Sequence, residues 1–423
     1  MKTKNTKQIL NYFAKLKPDQ TWSFSDSHEK QKSTYLTHSY HRYPAKFIPQ
    51  IVERLIKEYA DEKSIICDPF GGCGTTLVES KILGRESVGF DINPVAKLIT
   101  EAKTEAINPV ILEMETEKLL NSIGKKCDNF NVNPKLDFWI DKKMQNKLAG
   151  IYIPITKIKN RKIRKFFLCG FSHILKNCSI WLMKSIKPTR DLKKKIPDPR
   201  EIFKSHIKSM LKKNEQFYNF LKSENKLNIK SKMRVADSRR IPTKKERVDL
   251  IITSPPYVTS YEYADLHQLS LLWFKFTDNL TEFRRNFIGT QSILDEKKTS
   301  NPIANNITKR LHKKDKSLAK KVGNYFEDVN LTIKEMYRIL RKNGLVCLIV
   351  GNTTLKGVPI LNAELAYEQM LRAGFKHEKV IKREIFNQMI TPWRDKRDGR
   401  FTNKKNENKK RIYQYEFIII MRK

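Results

Sequence analysis

Ser64-Ile65-Ile66-Cys67-Asp68-Pro69-Phe70-Gly71-Gly72-Cys73-Gly74-Thr75-Thr76 passes from a short apolar run, through a glycine-rich turn, into a helical pattern that reaches Leu83. The apolar run predicts a buried strand. The glycines let the backbone turn sharply and come close to a ligand. A helix starting at Thr75 presents free N–H groups at that turn, and Gly84 is placed to end it. A second strand, Ser87-Val88-Gly89-Phe90, ends in Asp91. An acid about 20 residues past a glycine loop is suited to holding ribose hydroxyls. The loop lacks the third glycine of the dinucleotide fingerprint and the Gly-Lys-Ser/Thr ending of a P-loop, so phosphate cradling is poorly supported.

Further along, Val248-Asp249-Leu250-Ile251-Ile252 predicts another buried strand, and Thr253-Ser254-Pro255-Pro256-Tyr257 follows it. Proline has no N–H to donate, so the ladder must stop there. The first proline also forces Ser254 into an extended conformation. A hydroxyl, a carbonyl and an aromatic ring thus stand at the carboxyl edge of a sheet, where open α/β folds bind ligands. That wall suits a flat molecule bearing an amino group: the ring stacks on it and two oxygens accept its N–H bonds. By itself the same stretch also fits a tight turn with an incidental tyrosine.

Together these stretches resemble the S-adenosylmethionine-dependent DNA amino-methyltransferases, which methylate the exocyclic amine of cytosine or adenine. The family's cofactor loop, Asp-Pro-Phe-x-Gly-x-Gly-Thr-Thr, is matched by Asp68 to Thr76, and its Asp/Asn/Ser-Pro-Pro-Tyr/Phe/Trp motif by Ser254 to Tyr257. His41-Arg42-Tyr43-Pro44-Ala45-Lys46-Phe47-Ile48-Pro49 is similar to the element that lies against the methionine end of the cofactor. Val235-Ala236-Asp237-Ser238-Arg239 is similar to the element whose Asp bonds the adenine amine. The resemblance covers roughly residues 35–105 and 230–422. It implies catalytic roles for Ser254, Pro255, Pro256 and Tyr257. It implies S-adenosylmethionine contacts from Lys46, Asp68, Phe70, Gly72, Gly74, Thr75, Asp91 and Asp237, and no metal. The serine form of the motif is more usual in the cytosine-N4 branch. The expected function is therefore site-specific methylation of cytosine N4 in double-stranded DNA, within a restriction-modification system whose cognate endonuclease acts on the same site.

The alternatives are an adenine-N6 enzyme of the same fold, an RNA guanine amino-methyltransferase, and a non-catalytic specificity subunit that binds the cofactor. Individual residues also have plainer readings. Asp91 and Asp237 could cap turns, Lys46 could be a solvated charge, and Phe70 could be core.

Lys and Arg number 84 against 45 Asp and Glu, a net charge of +39. Such a balance favours a polyanionic partner, although richness in Lys, Asn and Ile also follows from an AT-rich genome. The six cysteines make no Cys-x-x-Cys pair and no zinc spacing. Cys67 and Cys347 fall in apolar strand runs, as buried free thiols do, and a reducing cytoplasm is expected. No Pro-Cys dipeptide occurs, which disfavours cytosine C5 chemistry. No apolar signal core or membrane-length run is present, so no membrane partner is expected.

Alternating strand and helix patterns predict an α/β, doubly wound, mostly parallel seven-stranded sheet with a large helical insert. The expected strands lie near 64–68, 87–91, 232–236, 248–253, 345–350, 379–385 and 415–421. The last is expected, from the resemblance, to insert antiparallel. A helix over 325–342 is expected to end at Gly344, and one over 361–372 at Gly374. Residues 1–105 form the cofactor half, 106–230 a lysine-rich helical insert, and 231–423 the catalytic half. Three stretches are candidates for reading bases: the insert, an irregular basic loop near 277–322, and the basic stretch from Trp393 through Arg411. Within the insert, His173 is expected to be packed, and Lys193-Lys194-Lys195 and Lys212-Lys213 to be solvated.

Overall fold

The computed structural model describes residues 5–24, 33–44, 46–124, 130–258, 264–290, 299–385, 393–395, 397, 402–403, 405–411 and 414–423. Ala45, Cys127, the first four residues and parts of the two later basic stretches lie outside the described residues.

Five strands come first: β1 (Ile66–Asp68), β2 (Ser87–Asp91), β3 (Ser231–Val235), β4 (Val248–Thr253) and β5 (Leu340–Val350). A small hairpin, β6 (Thr353–Leu355) with β7 (Val358–Ile360), precedes β8 (Lys376–Glu384). A second small hairpin, β9 (Trp393–Asp395) with β10 (Lys409–Arg411), precedes β11 (Tyr415–Arg422). Among the described residues the main sheet has seven strands in the order β3-β2-β1-β4-β5-β11-β8. The first five run parallel. β11 lies antiparallel between β5 and β8, as the resemblance implied.

In this order the chain leaves β1 toward β2 on one side and returns to β4 on the other. The β1/β4 boundary is therefore the topological switch point, where a crevice opens beyond the carboxyl ends. The glycine loop and the Ser-Pro-Pro-Tyr segment emerge there on adjacent strands.

Helices cover both faces. In chain order the helices are α1 (Thr6–Lys15), α2 (Pro49–Tyr59), α3 (Thr75–Ile82) and α4 (Pro94–Thr104), then, in the insert, α5 (Pro109–Ser122), α6 (Lys142–Thr156), α7 (Arg161–Leu175) and α8 (Pro199–Ser223). After β4 come α9 (Gln268–Trp273), α10 (Leu280–Arg285), α11 (Pro302–His312), α12 (Lys316–Ile339) and α13 (Asn362–Ala373). Local chemistry sets their ends. Asn93 accepts from the Val95 N–H and Pro94 occupies the first turn of α4. Gly374 closes α13 at φ 104°.

Two expectations fail here. Gly344 does not end a helix: α12 stops at Ile339 and passes directly into β5, with the Leu340 N–H reaching the Met336 carbonyl. Residues 341–344 loop out between the pairs Val248↔Leu340 and Leu250↔Leu345. A side chain at Gly344 would come within 2.8 Å of the Asp249 carbonyl, so this glycine serves close approach. The stretch 277–322 is not an irregular loop where it is described. Asn301 caps α11 by accepting from the Ala304 N–H, and Ile303, Ala304, Ile307 and Leu311 are buried in the main core. Their i, i+1, i+4, i+8 spacing is a helical stripe.

The insert does not fold alone. Its buried residues, such as Phe166, Phe171 and Phe203, share one core with Leu269, Leu272, Trp273 and Leu280. The lobe beside the sheet thus joins 106–230 and 264–285 in one core with Tyr40, Cys73 and the buried face of α4 (Val95, Ile99, Ala102), while α11 and α12 belong to the main body.

Candidate active site

β1 delivers Asp68 into the interior, where its carboxylate joins three elements. Thr253 donates to Oδ1 at 2.6 Å, the Phe70 N–H donates to the same oxygen at 3.0 Å, and Thr76 donates to Oδ2 at 2.7 Å. The glycine loop, the start of α3 and the last residue of β4 are thereby fixed to one another. Burial pushes the Asp68 pKa up to about 6, against the lowering effect of these donors.

The turn after β1 places Gly72 and Gly74 in the left-handed region, at φ 48° and 79°. A side chain at Gly72 would lie 3.3 Å from the Tyr43 hydroxyl. The Gly72 N–H donates to Asp91 Oδ2 at 2.9 Å, and the Asn93 N–H to Oδ1 at 2.8 Å. Asp91 therefore faces the loop from the end of β2, and burial raises its pKa to about 6.

One crevice is lined by Lys46, Asp68, Phe70, Gly72, Thr75, Asp91, Asp237, Ser254, Pro255, Pro256 and Tyr257. All the sequence-selected residues except Gly74 line it. Gly74 instead caps α3 beneath the loop. Asp237 is held by Arg239, whose Nη2 donates to it at 2.7 Å, and Arg239 also reaches Asp328 at 3.1 Å. Lys46 donates to the Ser33 carbonyl at 3.3 Å. Burial, with Lys103 nearby, lowers its pKa.

Several lining residues do not stand out from sequence: Tyr43, Cys73, Asn93, Ser238, and the run Asn286, Phe287 and Ile288. Ser238 donates to the Pro69 carbonyl, tying the end of β3 to the glycine loop. Tyr43 and Ser238 lie inside motif segments, which is the signal that could find them. The run 286–288 carries none, because only folding after α10 brings it to the crevice.

Behind Tyr43 sits a histidine seam. His267 lies 4.9 Å from Tyr43 and 5.7 Å from His41, ring to ring. His41 contacts Ser172 of α7 at 2.9 Å, and His173 stacks on His206 at 3.8 Å. Burial lowers the pKa of all four, to about 4 for His206 and His267. His173 is thus a packed residue, as expected. Among the described residues no group of His, Cys, Asp and Glu could hold a metal. The described cysteines are free and buried. No helix among these residues is long and apolar enough to cross a membrane.

The crevice fits an adenosyl cofactor: a carboxylate at the end of β2, apolar Phe70 and Ile92 beside it, and a glycine cradle that a side chain would fill. A family model described as DNA methylase matches residues 2–102 and 248–423. The chain belongs to the DNA methylase family, and S-adenosylmethionine is its methyl donor. The gap between the two matched segments contains the helical insert.

Among similar proteins, the Type II methyltransferase M.MvaI of Kocuria varians is 26% identical over 390 residues, covering 84% of this chain and 85% of that protein. M.BsoBI of Geobacillus stearothermophilus, also a Type II methyltransferase, is 23% identical over 418 residues, covering 81% and 79%. A solved SAM-dependent methyltransferase of Methanosarcina mazei aligns over 90% of this chain and 98% of its own at 10% identity, with a TM-score of 0.31, too low to bear on the site.

Proposed function

We propose that this DNA methyltransferase acts on the exocyclic N4 amine of cytosine in duplex DNA, at a specific sequence, as the modification partner of a restriction endonuclease recognising the same site. The observation that carries this is the shared crevice: Ser254 and Gly72 line one cavity. The serine form of the motif favours cytosine over adenine.

The amine of an aromatic base is a poor nucleophile, because its lone pair is delocalised into the ring. Ser254 Oγ and the Pro255 carbonyl accept its two N–H bonds and turn the lone pair out of conjugation. Pro256 stiffens that wall, and Tyr257 stacks on the base. A base cannot reach this wall inside a duplex, so it is flipped out of the stack. S-adenosylmethionine, when bound, supplies an electrophilic methyl group. Asp91 takes the ribose hydroxyls and Asp237 the adenine amine. Lys46 borders the methionine end, and Phe70, Gly72 and Thr75 shape the pocket, with Gly74 holding the turn. Near-attack positioning of this kind is worth roughly 7–11 kcal/mol. The amine loses a proton as the new bond forms. A cytoplasmic setting accords with the buried free thiols.

Methylome sequencing of a host expressing the chain tests this directly. Modified cytosines in one short sequence context are expected; an unmodified genome would refute it.

A further inference from the structure

The loop between α7 and α8 is a built hairpin. The Leu182 N–H donates to the Thr189 carbonyl at 2.8 Å, and the Asp191 N–H to the Ile180 carbonyl at 2.7 Å. Trp181 pairs with Arg190 across it. The Trp181 indole N–H donates to the Lys187 carbonyl at 3.1 Å, and its ring stacks on Trp139 at 5.2 Å.

Lys194 pins the base. Its ammonium donates to three carbonyls, of Lys176 at 2.7 Å, Ser179 at 2.6 Å and Trp181 at 3.0 Å. The run Lys193-Lys194-Lys195 is therefore not uniformly solvated: its central member is turned inward. The outward cations differ. Lys184, Lys187, Arg190, Lys193 and Lys195 are exposed, and among the described residues none of them has a carboxylate partner within ion-pair distance. Arg190 lies over the exposed Phe138 ring at 4.3 Å.

The segment leading into the hairpin is tied to the rim of the crevice through Arg42. Arg42 donates to Asn177 Oδ1 at 2.7 Å and to the His173 carbonyl at 3.4 Å, and the next residue, Tyr43, lines the cavity. The hairpin's one acid, Asp191, accepts from the Lys193 backbone N–H at 3.2 Å, and a hydrogen-bonded frame that holds these cations out of ion pairs has already met the ordering cost that a flexible lysine face meets on binding. Regularly spaced anions flank any base presented to the crevice.

We propose that hairpin 180–191, with Lys193 and Lys195 at its base, is a preformed finger that grips the phosphates of duplex DNA next to the flipped base. The proposal rests on the DNA-methylating reading above and assigns this finger a positioning role, with sequence left to other parts of the lobe, since phosphate contacts carry no direct sequence information.

The test is DNA binding against salt for the wild type and for the triple variant Lys184→Gln, Lys187→Gln, Arg190→Gln. Each phosphate that the variant no longer neutralises makes the log–log slope shallower by about 0.9, so a change of about 2–3 is expected. Cofactor affinity without DNA and the methylated sequence context should stay as in the wild type. An unchanged slope overturns the finger while leaving the methylation reading intact. A changed sequence context with an unchanged slope also overturns it, and assigns base reading instead. If the wild type methylates no DNA, the parent reading is what fails. In a second variant, Lys194→Met, limited proteolysis should cut within 182–189 faster than in the wild type. Equal protection would overturn the pinned frame.

Discussion

Thr253, the last residue of β4, donates its hydroxyl to Asp68, at the end of β1, at 2.6 Å. Both residues are buried. This bond crosses the switch point and sets the distance between the cofactor loop and the wall that begins at Ser254. Thr253→Val keeps the shape and removes the donor, leaving part of a buried carboxylate unsatisfied. A loss of about 1–3 kcal/mol in unfolding free energy is expected, with a fall in methylation rate because Ser254 is the next residue. Denaturant unfolding and single-turnover rates check this. Wild-type values for both would show that the bond does not set the geometry.

Asp91 titrates at about 6 because burial disfavours its charge. In the proposed role Asp91 accepts from the ribose hydroxyls in its charged form, so cofactor affinity should weaken as pH falls through about 6 and level off above it. Asp91→Asn should flatten that profile and raise the dissociation constant about 10-fold or more, as for a hydrogen bond to a charged group. Calorimetric titration across pH 5–8 measures both. A wild-type profile flat through 6 would remove Asp91 from the ribose site.

Much of the site is legible in the sequence, because glycine and proline declare backbone geometry directly. Gly72, Gly84 and Gly374 adopt the left-handed conformations their positions imply. The strands near 66–68, 87–91 and 248–253 follow from short, mostly apolar runs that each end in a polar residue, Asp68, Asp91 and Thr253. Asp68 reads from its motif as a cofactor contact, yet its main visible work is internal bracing, which spacing alone does not reveal. The Asn-rich stretch after Asn301 has the composition of a loop because its polar face dominates. Its four buried apolar residues at helical spacing are the signal that outweighs composition. The union of 264–285 with the insert depends on contacts far apart in sequence, between residues such as Phe171 and Trp273, which no local pattern encodes. Likewise Gly344 resembles a helix stop, since close approach to the Asp249 carbonyl is a tertiary fact.

Gly74→Ala should disturb the cofactor turn. Its Cβ would fall 2.6 Å from Thr100 Cγ2 at a backbone φ of 79°, and Thr100 also donates to the Gly72 carbonyl at 3.1 Å. Strain of this kind costs on the order of 1–3 kcal/mol. Thermal unfolding should show a lowered midpoint together with weaker cofactor binding. An unshifted midpoint would mean that the loop absorbs the methyl group.

Tyr257→Ala should separate the two halves of the crevice. Base–aromatic stacking is worth about 1–3 kcal/mol, so methylation should drop roughly 5- to 150-fold while cofactor affinity stays at the wild-type value. Steady-state methylation and cofactor titration, measured in parallel, decide it. Equal loss of both would contradict a stacking role.

Cytosine-N4 transfer at the Ser254 wall is tested most directly by digesting DNA methylated with isotope-labelled S-adenosylmethionine and identifying the labelled nucleoside by mass spectrometry. N4-methylcytosine is expected from the wild type, with a sharply reduced yield from Ser254→Ala. Label in N6-methyladenine, or no label in DNA at all, would contradict it.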